Sequence, residues 1–109
     1  MGSFAVGDVV TVIFPYADLS AFKKRPAFII GQAEFGNYIT CQITSKAKTS
    51  VTAIPIFDKD FNEGSLKVDS YIRPDKIFTL EPSLIQAKAG TLTEEKLKTA
   101  KTAVRNLFR

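Results

Sequence analysis

A chain of 109 residues, 45% hydrophobic and 24% charged, has room for one domain over residues 1–109 with a modest core, and its composition excludes a disordered chain. Its net charge of +4 is compatible with a polyanionic partner without requiring one. The single cysteine excludes an internal disulfide, and the lack of histidine deprives zinc and most transition metals of their usual ligands and any catalysis of its commonest base near neutral pH. No apolar run reaches the roughly 18 residues of a membrane span and no signal peptide precedes Gly7, so no membrane association and a cytoplasmic location are expected.

In chain order, Asp8 to Phe14 is dense in Val, Ile and Phe and predicts a first strand, which Pro15 ends. Pro15 to Arg25 holds a turn-like Ala17-Asp18-Leu19-Ser20 and three consecutive cations, and predicts an exposed loop. Ala27 to Gln32 is a second strand, whose Phe28-Ile29-Ile30 run suits burial on both faces. Gly36-Asn37 signals a hairpin turn into a third strand, Tyr38 to Ile43, in which Cys41 reads as a small buried residue. Val51 to Phe57 is a fourth strand, with Pro55 favouring an edge or a bulge. Asp58 to Ser65 reads as a turn region. Leu66 to Ile72 and Lys76 to Leu80 complete six strands, interrupted at Arg73-Pro74-Asp75. Short strands at this spacing favour a barrel or a sandwich, mainly β with one helix.

That helix begins at Thr93, a suitable N-cap, with Glu94 and Glu95 facing the positive end of the dipole. Leu92 and Leu97 occupy the positions of a hydrophobic staple. Leu97, Ala100, Val104, Leu107 and Phe108 recur at helical spacing and are expected to pack on the sheet or on a second subunit. Lys98, Lys101, Arg105 and Arg109 share the opposite face, either as a solvated surface or as a track for RNA.

Three segments in order resemble the PemK/MazF family of toxins. The first runs from Gly7-Asp8-Val9-Val10 through Phe14-Pro15 and Asp18-Leu19-Ser20 to Lys24-Arg25-Pro26-Ala27-Phe28-Ile29-Ile30. The second is Cys41-Gln42-Ile43-Thr44-Ser45. The third extends from Tyr71-Ile72-Arg73-Pro74-Asp75-Lys76 to Leu84-Ile85, followed by Gly90-Thr91-Leu92-Thr93 and the helix. The resemblance implies an SH3-like β-barrel with a C-terminal helix, assembled as a homodimer. It implies a sequence-selective endoribonuclease that cuts single-stranded mRNA without metal or cofactor. It further implies a cognate antitoxin protein, whose complex with the toxin binds operator DNA. The barrel alone does not fix this, because the gyrase-poisoning toxin CcdB has a similar one and no nuclease activity. A non-catalytic toxin or binding module is therefore the alternative.

A metal-free ribonuclease uses the 2′-hydroxyl as its nucleophile, and needs a base, an acid for the departing 5′-oxygen, and cations for the phosphorane. The resemblance assigns catalytic roles to Arg25, to Thr44 and to the Arg73-Pro74-Asp75 motif. Arg25 offers a planar fork suited to phosphate, against a merely solvated basic loop. Thr44 and Ser45 either donate hydroxyls to a phosphate oxygen or cap the strand end locally. Arg73 and Asp75 project to one side of an extended backbone, either as an acid–base pair or as a structural ion pair. As a base, Asp75 needs a raised pKa. Lys23, Lys24 and Lys46 are candidate RNA contacts, and Phe22 is placed to stack on a base or to fold back on its own barrel. Some relatives contribute a histidine from the first loop, which this chain lacks; a site for a divalent ion is not expected either, since Asp58-x-Asp60 lies in a turn.

Overall fold

The computed structural model describes residues 4–15, 22–46 and 50–108. The expected turn at Ala17-Asp18-Leu19-Ser20 and the residue Arg109 lie outside them. The elements are β1 (Asp8–Pro15), β2 (Phe22–Gln32), β3 (Tyr38–Thr44), β4 (Ile54–Ile56), β5 (Phe61–Gly64), β6 (Ser70–Leu80), β7 (Ile85–Leu92) and α1 (Glu94–Asn106), with 3-10 turns at Glu34–Gly36, Asp58–Asp60 and Pro82–Leu84. The strands form one antiparallel sheet in the order β4-β6-β3-β2-β1-β7-β5.

The two edge strands are consecutive in sequence, and this forces the sheet to curl. A flat sheet of seven strands at about 4.8 Å spacing would hold β4 and β5 roughly 29 Å apart. The chain from Ile56 to Phe61 can span at most roughly 18 Å. The sheet therefore bends until its edges approach, as the SH3-like barrel expectation requires.

Curling gives the sheet an inner and an outer face. On the inner one, Val9, Phe28, Cys41, Ile43, Ile54, Ile56, Ile72 and Leu92 pack with Ala100 of α1. Across the sheet, Val10, Val12, Ala27, Ile29, Tyr38 and Leu80 form a second cluster, covered by Phe4, Val6 and Ile85. Phe28 and Ile29 are both fully buried, one on each face, so β2 is the doubly covered strand expected from its unbroken apolar run. Cys41 is buried, and burial, with the Asp75 charge adding, pushes its thiol up to about 11. The thiol stays protonated and serves as packing.

Several boundaries differ from expectation, each for a local reason. β2 begins at Phe22, so Phe22 to Arg25 are strand rather than loop, paired with Pro15 to Val12. The hairpin turn lies one residue early: Phe35 and Gly36 hold φ of 61° and 75°, and Asn37 N–H donates to the Glu34 carbonyl at 3.2 Å. Two successive positive φ angles suit the right-handed twist of a hairpin, and Phe35 adopts one with its ring exposed. β4 covers only Ile54–Ile56, with Pro55 on a sheet edge as anticipated. The two strands expected at Leu66 to Ile72 and Lys76 to Leu80 are one, Ser70–Leu80. Gln42 pairs with Arg73 and Cys41 with Ile77, so Pro74-Asp75-Lys76 bulge out and the missing proline N–H costs no ladder bond. β5 and β7 bring the strands to seven.

α1 starts as expected: the Thr93 hydroxyl accepts from the Lys96 N–H at 3.2 Å, and Leu97, Ala103 and Val104 pack against the inner core. Lys96 then donates to the Pro55 carbonyl at 3.1 Å and lies 3.4 Å from Asp60, tying the helix to the β4–β5 turn. Leu107 and Phe108 do not pack on the sheet: they follow the last helical residue, Asn106, and are exposed. No helix among the described residues is long and apolar enough to cross a membrane.

Closure depends on two glycines where β5 meets β7. Gly64 has φ of 77°, and a Cβ there would overlap the Ala89 carbonyl; one on Gly90 would lie 2.5 Å from the Glu63 carbonyl oxygen. Gly90→Ala must push β5 outward, and is expected to lower stability by about 2 kcal/mol. Urea unfolding checks this, since an unchanged midpoint would mean that the two strands do not approach so closely.

Candidate active site

Strand register decides which side chains share a surface. Ala27 pairs with Gln42, and Gln42 with Arg73, while Thr44 pairs with Tyr71. Directly paired residues and residues two apart lie on one side of a sheet. Arg25, Gln42, Thr44 and Arg73 therefore share the outer face, beside the second apolar cluster.

Two cavities open around Arg25 and Pro26, which line both. The first, about 270 Å³, is bounded by Lys24, Arg25, Thr44, Ser45 and Lys46, with Ile43, Val68 and Ser70 behind them. The second, about 230 Å³, is bounded by Arg25, Pro26, Gln42 and Phe78. The structure thus gathers five of the residues picked out in the sequence, drawn from β2, the end of β3 and the two residues after it, around one basic hollow. Phe22 and Lys23 lie in β2, but their side chains fall outside the described residues.

The two arginines differ in state. Arg25 is half-buried and has no ion pair among the described residues, so its guanidinium is open to an anion. Arg73 is occupied: its Nε donates to Asp75 Oδ1 at 3.0 Å and its second terminal nitrogen to Oδ2 at 2.9 Å. This bidentate pair spans the β6 bulge and lines neither cavity. The Arg73 hydrogen bonds hold the Asp75 carboxyl below the usual carboxylate range, against a smaller opposing effect of desolvation, and Asp75 in turn raises the pKa of Arg73. A base role for Asp75 needs the opposite shift. In this arrangement Asp75 is the weaker base of the two alternatives, and the pair reads as a structural clasp.

Thr44 shows the local bond anticipated for it. Its Oγ1 accepts from the Lys46 N–H at 3.0 Å, with a long 3.5 Å contact to the Lys46 carbonyl. The turn fixes the hydroxyl at the mouth of the basic hollow and leaves its proton only weakly engaged. Ser45 and Lys46 are exposed there. Gln42, central on this face, was not singled out in the sequence; the available signal was its place two residues before Thr44 on the same strand.

The clasp predicts an acid signature. The folded pKa of Asp75 lies below its ordinary 3.8, so the stability it contributes is complete above that value and is lost as pH falls through the folded pKa. The side chain is 40% exposed, so the contribution is small. Asp75→Asn is expected to make the fall in urea midpoint between pH 4 and pH 2 shallower than in the wild type. Superimposable acid limbs would show that Arg73 does not hold this carboxylate.

The comparisons agree with this architecture. The chain has the fold of an endoribonuclease solved in complex with its cognate antitoxin from a mycobacterial species, with a TM-score of 0.74, 16% identity, and 97% of this chain and 93% of that one covered. It is similarly related to MazE–MazF from Deinococcus radiodurans, with a TM-score of 0.75, 18% identity, and 94% and 92% coverage. No curated protein matches it in sequence. A family profile described as PemK-like, MazF-like toxin of type II toxin–antitoxin system matches residues 5–108, from before β1 to beyond α1. The chain belongs to the PemK-like, MazF-like family of type II toxin–antitoxin toxins.

Proposed function

We propose that this chain is a metal-independent, sequence-selective endoribonuclease acting on single-stranded mRNA. One observation supports the reading: Arg25, which has no ion pair among the described residues, and Thr44 line one hollow together with Lys24, Ser45 and Lys46. A scissile phosphate seated there meets a bidentate cation on one side and a hydroxyl donor on the other. The substrate's 2′-hydroxyl attacks the adjacent phosphorus, the bond to the 5′-oxygen breaks, and the products carry a 2′,3′-cyclic phosphate and a 5′-hydroxyl. Arg25 stabilises the charge that builds on the phosphorane, and Thr44 binds one of its oxygens. Asp75 accepts the 2′-hydroxyl proton only if a phosphate replaces it in the fork of Arg73, which frees the carboxylate from the hydrogen bonds that chiefly lower its pKa.

The same reading makes the protein a cytoplasmic toxin that acts as a homodimer, since a 109-residue barrel has little room for a long RNA groove of its own. Its antitoxin ends in an acidic segment that orders over the basic hollow, and their complex binds operator DNA. The test is to incubate the purified protein with a long RNA in EDTA and to map fragment ends by primer extension. Discrete ends at a recurring motif support the proposal. Intact RNA would favour the non-catalytic barrel toxin or binding module instead.

A further inference from the structure

The cavity of about 230 Å³ on the outer face has a composition that phosphate binding does not explain. It is lined by two apolar residues, Pro26 and Phe78, and by two with polar side chains, Arg25 and Gln42. Phe78 packs against the second apolar cluster, so that wall is held in place. Gln42 is half-buried and not a sealed-off polar group, so solvent or a ligand can reach it, and its amide makes no hydrogen bond among the described residues. Its neighbours do not offer one. Across β2 stands Ala27, which is too short to cover it, and across β6 stands Arg73, whose fork Asp75 already fills. The adjacent outward residue of β3, Thr40, differs: its hydroxyl donates to the Phe78 carbonyl at 2.9 Å.

A half-buried amide with one acceptor and two donors, next to an apolar wall, suits a flat ligand that has apolar faces and a hydrogen-bonding edge. A nucleobase is such a ligand, and the cavity is smaller than the 300 Å³ or more typical of drug-sized sites, so it takes one base rather than a run of them. We propose that Gln42 determines specificity by reading the edge of one base of the cleavage motif, next to the phosphate held by Arg25, while Phe78 and Pro26 pack on that base. The inference rests on the endoribonuclease reading given above and adds the subsite that selects the sequence. The shared lining by Arg25 links the two: a base in this cavity lies directly beside a phosphate in the neighbouring one.

The experiment is to digest a randomised RNA pool with the wild type, Gln42→Leu and Gln42→Glu, and to sequence the fragment ends. Leucine keeps the bulk without the hydrogen bonds. Glutamate is isosteric with glutamine, accepts at both oxygens, and so favours a base that presents two donors, as guanine does with N1–H and N2–H. A bidentate amide–base contact discriminates by about 5- to 150-fold. The wild type is expected to show that preference at one motif position next to the cut. Gln42→Leu should flatten the position to below about threefold, Gln42→Glu should move it toward guanine, and the remaining positions should keep their preferences. Both variants are checked for a wild-type urea midpoint, and the isosteric Gln42→Glu carries the test if the leucine variant does not fold.

Identical motifs in all three proteins, or an even loss of preference at every position, would overturn the assignment and leave the endoribonuclease reading standing. A folded Gln42→Glu protein that cuts nothing would also overturn it, because Gln42 would then act in the chemical step rather than in selection. A wild type that leaves the pool intact would defeat both readings together.

Discussion

Arg25→Ala is expected to lower RNA cleavage by about 100- to 1000-fold while leaving the urea midpoint close to the wild-type value. The first half follows from the position of the guanidinium. It is the one group shared by both cavities that carries a full charge, and no carboxylate among the described residues competes for it. A donor placed where charge develops in the transition state contributes more than the same donor in water, because the protein has already fixed its orientation. Lys24 and Lys46 border the same hollow but are exposed, and a point charge on a flexible stem does not replace a planar fork. The second half follows from what Arg25 does not do. It forms no ion pair among the described residues, and its backbone pairing with Val12 is kept by alanine. The loss of its half-buried stem is an effect of about a few tenths of a kcal/mol. Expressed without antitoxin, the wild type should arrest growth and the variant should not. A folded Arg25→Ala protein that remained as toxic would place the chemistry elsewhere on the surface.

The sequence carried the fold best where local chemistry and tertiary position agree. The run Phe28-Ile29-Ile30 has no polar face and is buried from both sides, and Thr93 before Glu94 and Glu95 is the cap it resembles. β5 and β7 were not legible for the converse reason. Asn62-Glu63-Gly64 has the composition of a turn, yet it is strand because Gly64 and Gly90 let two backbones approach too closely for any side chain between them. Most of the first half of β7 is exposed, so Ile85 to Leu92 shows no clean alternation. The three-residue bulge at Pro74 looked like a break between strands because a proline removes a ladder donor, and nothing local reveals that the partner strand skips over it.

The sequence named candidate residues for the site but not their states. Arg25 and Thr44 were identifiable from the resemblance, and the register of β2, β3 and β6 explains why residues so far apart in sequence share one face. The direction of the Asp75 shift was not identifiable, since a carboxylate two residues from an arginine is compatible with either a base or a clasp until the side-chain geometry is known. Gln42 escaped notice because an amide on a strand reads as ordinary surface. Its distinction lies in the partners that the tertiary structure does not give it.

An RNA with a single 2′-deoxy nucleotide just 5′ of the scissile phosphate is expected to bind normally and to resist cleavage at that bond entirely, with EDTA making no difference to the intact substrate. The proposed chemistry predicts this. The chain has no histidine, its cysteine thiol is buried and held protonated, and Thr44 Oγ1 already accepts a backbone hydrogen bond, so none of the usual side-chain nucleophiles is activated. On the proposed reading the substrate's own 2′-hydroxyl is the nucleophile, and its removal deletes that nucleophile while leaving every phosphate and base contact in place. The loss therefore falls on the chemical step, so binding measured by anisotropy should change by less than about threefold while the rate at that bond falls below detection. Cleavage elsewhere on the same strand serves as the internal control. If the modified bond is cut at the original rate, water or a side chain is the nucleophile. The proton-accepting role given to Asp75, together with its release from Arg73 by phosphate, then has no step left to serve.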